Sequence, residues 1–91
     1  MKIRKIQEVE VPVWKDNQPT DVKEARVLVV FEDVTVGLGG LKTFTRIGSM
    51  FLDATVTLAQ AQEKLDVNHD WSKEVEFVAK PDSNFFRAVL R

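Results

Sequence analysis

The residues best suited to binding chemistry alternate along one short stretch of the chain. Lys42, Phe44 and Arg46 share a parity, so on a β-strand their side chains point to the same face. Two cations with an aromatic ring between them could contact the phosphates and bases of a nucleic acid, or could form an ordinary solvated strand face. The segment 34–47 around them holds three glycines and no acidic residue, which predicts two strands joined by a tight reversal.

A second basic and aromatic row ends the chain, where the ring of Phe85 shares a parity with two arginines. An aromatic residue and a lysine also stand at the start of the predicted loop between the first two strands. Stacking rings interspersed with cations are typical of proteins that bind single-stranded nucleic acid. The predicted nucleic-acid-binding residues are therefore Lys42, Phe44, Arg46, Phe85, Arg87, Arg91, Trp14 and Lys15.

Catalytic chemistry has few candidate residues in this chain. There is no cysteine, and the single histidine, His69, follows a predicted helix end. The segment 66–70 imitates the start of a calcium loop, but Trp71 stands where the glycine belongs and Phe77 where the bidentate glutamate belongs. We expect no catalytic residue, no metal site and no cofactor, and we predict that the protein is not an enzyme.

Length and composition limit the number of domains, the partners and the localisation that the chain could have. The 91 residues are enough for a single domain spanning 1–91, and the net charge of −1 argues against a general affinity for nucleic acid. The basic residues nevertheless segregate, because segments 1–7, 34–52 and 83–91 each contain cations and no acid. The absence of cysteine, of a signal peptide and of a long apolar run predicts a cytoplasmic protein without a membrane partner.

The first half of the chain has the pattern of three strands. Alternating residues predict a strand from Ile3 to Trp14, with Pro12 marking an edge, a bulge or the strand's end. A polar loop, 15–21, and a second strand from about Lys23 follow. That second strand is expected to reach Val36, and the third to run from Leu41 to about Phe51, with a kink at Gly48.

The second half changes to a helical period and then returns to strands. Thr57 and Gln60 have the spacing of a capping box, which predicts one short helix within 54–67. A fourth strand over 75–79 and a fifth over 85–90 should follow, separated by a turn at 81–84. Parity and apolar neighbours place four rings in the core: Phe31, Phe51, Phe77 and Phe86.

This order of three strands, one helix and two strands resembles the OB-fold, a small five-stranded sheet or barrel with its helix between strands 3 and 4. The resemblance is one of topology, and it implies a mainly β fold in which strands 3 and 5 are neighbours. The rows carrying Phe44 and Phe85 would then lie side by side. The loops that join strands 1 and 2 and strands 4 and 5 would flank the same site.

We therefore expect a small, non-enzymatic binding domain whose partner is single-stranded DNA or RNA. The alternative is a protein-interaction module, such as an adaptor, an inhibitor or an oligomeric subunit, that uses an exposed strand edge. Either the strand with Pro12 or the C-terminal strand could supply that edge. A homo-oligomer would use the same surfaces.

Overall fold

One five-stranded sheet and one short helix make up the protein. The computed structural model describes residues 1–40, 42–80 and 85–91. The strands are β1 (Lys2–Lys15), β2 (Gln18–Val36), β3 (Thr43–Phe51), β4 (Val75–Ala79) and β5 (Phe86–Leu90), with the helix α1 (Leu58–Lys64) between β3 and β4 and a short 3-10 turn at Leu38–Gly40. The predicted mainly β fold with this element order is confirmed.

The sheet has the strand order β1-β2-β3-β5-β4, with β3 and β5 parallel and the other neighbours antiparallel. Within the described residues, β1 pairs only with β2 and β4 only with β5, so the sheet is open rather than closed into a barrel. One backbone contact links its two ends, because the amide of Trp71, just before β4, donates to the carbonyl of Met1 at 2.8 Å.

The reversal between β1 and β2 is tighter than the sequence indicated. Asp16 and Asn17 alone form the turn, with φ of 54° and 63°, in the left-handed region that Asp and Asn tolerate. The prediction of a loop over 15–21 is therefore wrong, and β2 begins at Gln18. The prediction at Pro12 is confirmed, because β1 is an edge strand and its register shifts between Pro12 and Trp14.

The helix begins where the capping box predicted. The Thr57 amide donates to Oε1 of Gln60 at 3.0 Å, and the Gln60 amide donates to Oγ1 of Thr57 at 3.2 Å. Two amides that the first helical turn leaves unpaired are thereby satisfied. Ala61 is the buried residue of this helix. No helix within the described part of the chain is long and apolar enough to cross a membrane.

The core lies against one side of the sheet, which we call the inner face. Its buried cluster comprises Ile3, Val29, Phe31, Val75 and Ala88. The opposite side is the outer face; strand pairing and parity assign to it Leu28, Val30, Ile47, Ser49, Phe51, Val78 and Arg87.

The four rings predicted for the core have different environments. Phe31 is buried, and Phe77 and Phe86 are half-buried on the inner face, where they stack with centroids 5.7 Å apart. The prediction for Phe51 is wrong, because this side chain is 50% exposed on the outer face. Its neighbour Met50 packs against the core instead, since successive strand residues point to opposite faces.

The parallel pairing of β3 and β5 is short and is centred on a glycine. Gly48 lies opposite Phe86, and Ser49 lies opposite Arg87. A Cβ atom at Gly48 would lie 2.6 Å from Cε1 of Phe77, a distance that side-chain atoms do not tolerate. Gly48 is therefore needed for the close approach of this ring, and β3 continues through it.

Replacing Gly48→Ala should destabilise the protein by about 1–3 kcal/mol, because the Phe77 ring must leave its position between β3 and β4. Urea unfolding followed by circular dichroism measures the free-energy change. The control is Ser49→Ala, which adds no atom at the neighbouring position. Equal stabilities of the two variants would contradict the assigned role of Gly48.

Candidate functional site

The pairing of β3 with β5 puts the two predicted basic and aromatic rows, within 42–46 and 85–91, on opposite faces of the sheet. Gly48 has the parity of Lys42, Phe44 and Arg46, and its partner Phe86 shares that face. Arg87 is opposite Ser49 and therefore lies on the outer face. The prediction that both rows form one patch is wrong, because parity within a strand does not give the register between strands.

Arg46 is held on the inner face by three neighbours. Its guanidinium pairs with the carboxylate of Asp33, its cross-strand partner. It also lies 5.6 Å from the ring centroids of both Phe77 and Phe86. A cation over stacked rings and beside a carboxylate stabilises the strand packing, so we assign Arg46 a structural position rather than a ligand-binding one.

Phe44 is exposed at the end of the β2–β3 hairpin, with 56% of its side chain accessible. Its ring lies against Gly37, where an added Cβ would be 2.7 Å from Cε2 of the ring. The Gly37 amide donates to the carbonyl of Lys42 at 2.6 Å. Gly39 and Gly40 supply the positive φ of the turn, at 76° and 68°. The Phe44 ring therefore packs against Gly37 and does not belong to the outer face.

The remaining predicted residues are divided between two other places. Trp14 and Lys15 lie within β1 at the tip of its hairpin with β2, and Trp14 is 65% exposed. Arg91 donates from Nε to the carbonyl of Ser72 at 3.0 Å and from Nη1 to the carboxylate of Glu76 at 3.3 Å. The charge of Arg91 is therefore already paired within the protein.

Two adjoining hollows lie between β3 and β5; they share Ser49 and Lys80, and together we call them the groove. Its floor is apolar, and aromatic and basic side chains stand at its sides. Phe85 is 60% exposed there, just before β5. The turn predicted at 81–84 lies outside the described residues. The described residues lining the groove and its continuation include Leu28, Val30, Ile47, Ser49, Phe51, Lys80, Phe85, Arg87 and Val89.

The charge of this groove is positive. Lys80 and Arg87 are the charged residues among its described lining, which includes no carboxylate. Arg26 lies at one end of the groove with its charge paired: its Nη1 is 3.7 Å from the carboxylate of Glu24, its Nε donates to the carbonyl of Leu52 at 3.2 Å, and its guanidinium lies 5.8 Å from the Phe51 ring centroid. These contacts hold the Arg26 guanidinium over one face of the Phe51 ring.

Two aspartates outside this groove have lowered pKa values and stabilise loops. Hydrogen bonds from the hydroxyl and amide of Ser72 lower the pKa of Asp70 well below its usual range, and the Met1 amino group adds to the effect. The amide and hydroxyl of Thr55 lower the pKa of Asp53 in the same way. Both residues stabilise local turns by accepting hydrogen bonds as anions.

His69 contacts two residues close to it in the chain. Its Nε2 lies 3.4 Å from the carboxylate of Glu74, and its ring meets that of Trp71 edge-on at 4.6 Å between centroids. Among the residues that the structure describes, no group of three or more His, Asp or Glu side chains could hold a metal ion.

Sequence reasoning missed Phe51 and Arg26 as members of the outer face. Phe51 was assigned to the core because rings are buried by default, although it shares a parity with Ile47 and Ser49. That shared parity was the available signal, and the register of β3 on β2 was needed to use it.

No protein-family model, curated protein or solved structure matches this chain.

Replacing Arg46→Ala should lower the free energy of unfolding by about 1–2 kcal/mol, since contacts with two rings and one carboxylate are lost. Lys42→Ala, which removes an exposed cation from the same strand face, should change it by less than about 0.5 kcal/mol. Urea denaturation of both variants provides the comparison. A neutral effect of Arg46→Ala would show that its contacts contribute nothing to the fold.

Proposed function

We propose that the outer face binds single-stranded nucleic acid, DNA or RNA, with little sequence preference. The observation that carries this proposal is that two partly exposed rings, Phe51 and Phe85, and two cations, Lys80 and Arg87, line the two adjoining hollows of the groove. Rings of this kind stack on any base, and cations track the backbone.

The rings supply the binding energy that does not depend on charge. Both rings are partly exposed, with Arg26 over one face of Phe51, and stacking one base on a ring contributes about 1–3 kcal/mol. Phe51 lies on β3, while Phe85 stands before β5, so the two rings flank the groove from neighbouring strands. A strand of nucleic acid that crosses the groove could stack one base on each ring.

The cations supply the part of the affinity that depends on salt. Lys80 and Arg87 stand beside the rings, where they would meet the phosphates of a bound strand. Each phosphate contact on a single strand changes the logarithmic salt slope by about 0.7. With Lys80 and Arg87 as the two contacts, the logarithmic salt slope should be about 1.4.

The position of the groove also supports the proposal. In OB-folds, oligonucleotides bind across strands 2 and 3 and between the loops that follow strands 1 and 4. Here Val30 and Ile47 bring the second and third strands to the groove, and Lys80 and Phe85 stand on either side of the segment that joins β4 to β5.

The second candidate function is a protein-interaction module that adds a strand at an exposed edge. The observation in its favour is that β1, over its fourteen residues, has β2 as its one strand partner within the described part of the chain. Such an edge can accept a strand from another protein.

Phe85→Ala should weaken binding to labelled oligo-dT and oligo-rU by several-fold to a hundredfold, because a stacking surface is lost. Fluorescence anisotropy at low and moderate salt measures the dissociation constants. The matched control is Phe44→Ala, which removes an equally exposed ring from the inner face.

Salt titrations complete this experiment. Arg87→Ala should lower the logarithmic salt slope by about 0.7, while Lys42→Ala should leave the slope unchanged. If Phe44→Ala weakens binding and Phe85→Ala does not, the ligand lies on the inner face. If neither oligonucleotide binds at tens of micromolar wild-type protein, the nucleic-acid proposal fails.

A further inference from the structure

The two hollows of the groove each contain one aromatic ring. The first is lined by Phe85 and Ile47, and the second is lined by Phe51 and Arg87. Their volumes are about 310 and 370 Å³, near the lower limit of sites that hold small molecules. Each hollow therefore offers one ring for stacking and space for a single nucleotide base.

The two residues that both hollows share are hydrogen-bond donors. Ser49 lies on the outer face of β3 between the positions of Ile47 and Phe51, and Lys80 directly follows β4. Within the described part of the chain, neither the Ser49 hydroxyl nor the Lys80 ammonium group has a hydrogen-bond or ion-pair partner. A hydroxyl and an ammonium group that line the same boundary can donate hydrogen bonds to one anion.

Two carboxylates lie beside lining residues of the groove, but neither neutralises this pair of donors. Glu76 is opposite Val89, and Glu32 is opposite Ile47. Glu76 already pairs with Arg91 at 3.3 Å. Glu32 lines a separate hollow at the N-terminal end of β1. The boundary between the two hollows of the groove therefore retains the positive charge of the lysine.

The spacing along β3 determines how two bases could occupy the hollows. Ile47 and Phe51 are about 13 Å apart in an extended strand, and Ser49 lies midway between them. Neighbouring bases in a stacked strand are only about 3.4 Å apart. Bases in the two hollows therefore cannot stack on each other, and the linkage between them must pass over Ser49 in an extended conformation.

We propose that the outer face binds an unstacked dinucleotide, and that Ser49 and Lys80 bind the phosphate that joins its two nucleosides. One base stacks on Phe85 in the first hollow, and the other stacks on Phe51 in the second. Arg87 lines the second hollow alone and contacts the next phosphate of a longer strand. The dinucleotide site rests on the proposed function, to which it adds the length of the bound unit and the phosphate-binding pair.

Two dinucleotides that differ only in charge test the phosphate contact. The thymidine dinucleotide d(TpT) carries one phosphate, and its methylphosphonate analogue has the same bases on an uncharged linkage. Shifts of the amide resonances of labelled protein give both dissociation constants. The wild-type protein should bind d(TpT) about five to ten times more tightly than the analogue, because the charge-assisted hydrogen bonds need the anion. Lys80→Ala and Ser49→Ala should each reduce this ratio, and Lys80→Ala should bring it close to one.

The matched control is Arg87→Ala, which removes another cation from the same groove. This variant should keep the wild-type ratio between the two dinucleotides, because d(TpT) has no second phosphate for Arg87 to contact. It should weaken the binding of oligo-dT, which supplies that phosphate. Lys80→Ala should weaken the binding of both oligo-dT and d(TpT).

The outcomes distinguish the dinucleotide site from the proposed function itself. If oligo-dT shifts no resonance of the outer face, the proposed function fails, and the dinucleotide site fails with it. If oligo-dT binds there but d(TpT) causes no shift at millimolar concentration, the bound unit is not a dinucleotide. Equal wild-type affinities for the two linkages, or an unchanged ratio in Lys80→Ala or Ser49→Ala, would overturn the assignment of the phosphate-binding pair.

Discussion

The junction of β3 with β5 at Gly48 is the constraint on which the arrangement of this protein depends. The antiparallel pairings on either side of it are longer, although two register shifts interrupt that of β1 with β2, whereas the parallel pairing between them is short. The missing side chain at Gly48 lets the ring of Phe77 reach the strand. Arg46 then covers Phe77 and Phe86 from the same face. A glycine, two rings and one cation thus hold the two halves of the sheet together.

This junction also decides which residues can act together. By setting Arg87 opposite Ser49, it turns the basic side of β5 to the outer face, where Phe51 and Phe85 are exposed. It also places Arg46 on the inner face, where the guanidinium forms an ion pair with Asp33. The outer face therefore gains rings and cations without a carboxylate among the described residues of its groove. That combination supports the proposed binding of a single strand, even in a chain with a slightly negative net charge.

Local sequence patterns predicted the helix and the strands well, whereas the register between strands distant in the chain could not be predicted. The spacing of Thr57 and Gln60 located the helix because a capping box involves only residues three apart. The turn at 16–17 was missed because its neighbours Gln18 and Pro19 also resemble turn residues, although they belong to β2. Whether Phe85 and Phe44 lie on the same face depends on the register between β3 and β5, which are distant in the chain. The parity of residues within each strand does not give that register.

The most direct test of the outer-face proposal is to follow backbone amide resonances of the isotopically labelled protein while oligo-dT is added. Binding in the groove predicts the largest shifts at Val30, Ile47, Ser49 and Arg87, with small shifts at the hairpin end around Thr43 and Phe44. Shifts concentrated at the hairpin end would place the ligand on the inner face and contradict the account. An unchanged spectrum at saturating oligonucleotide would show that the groove does not bind a single strand.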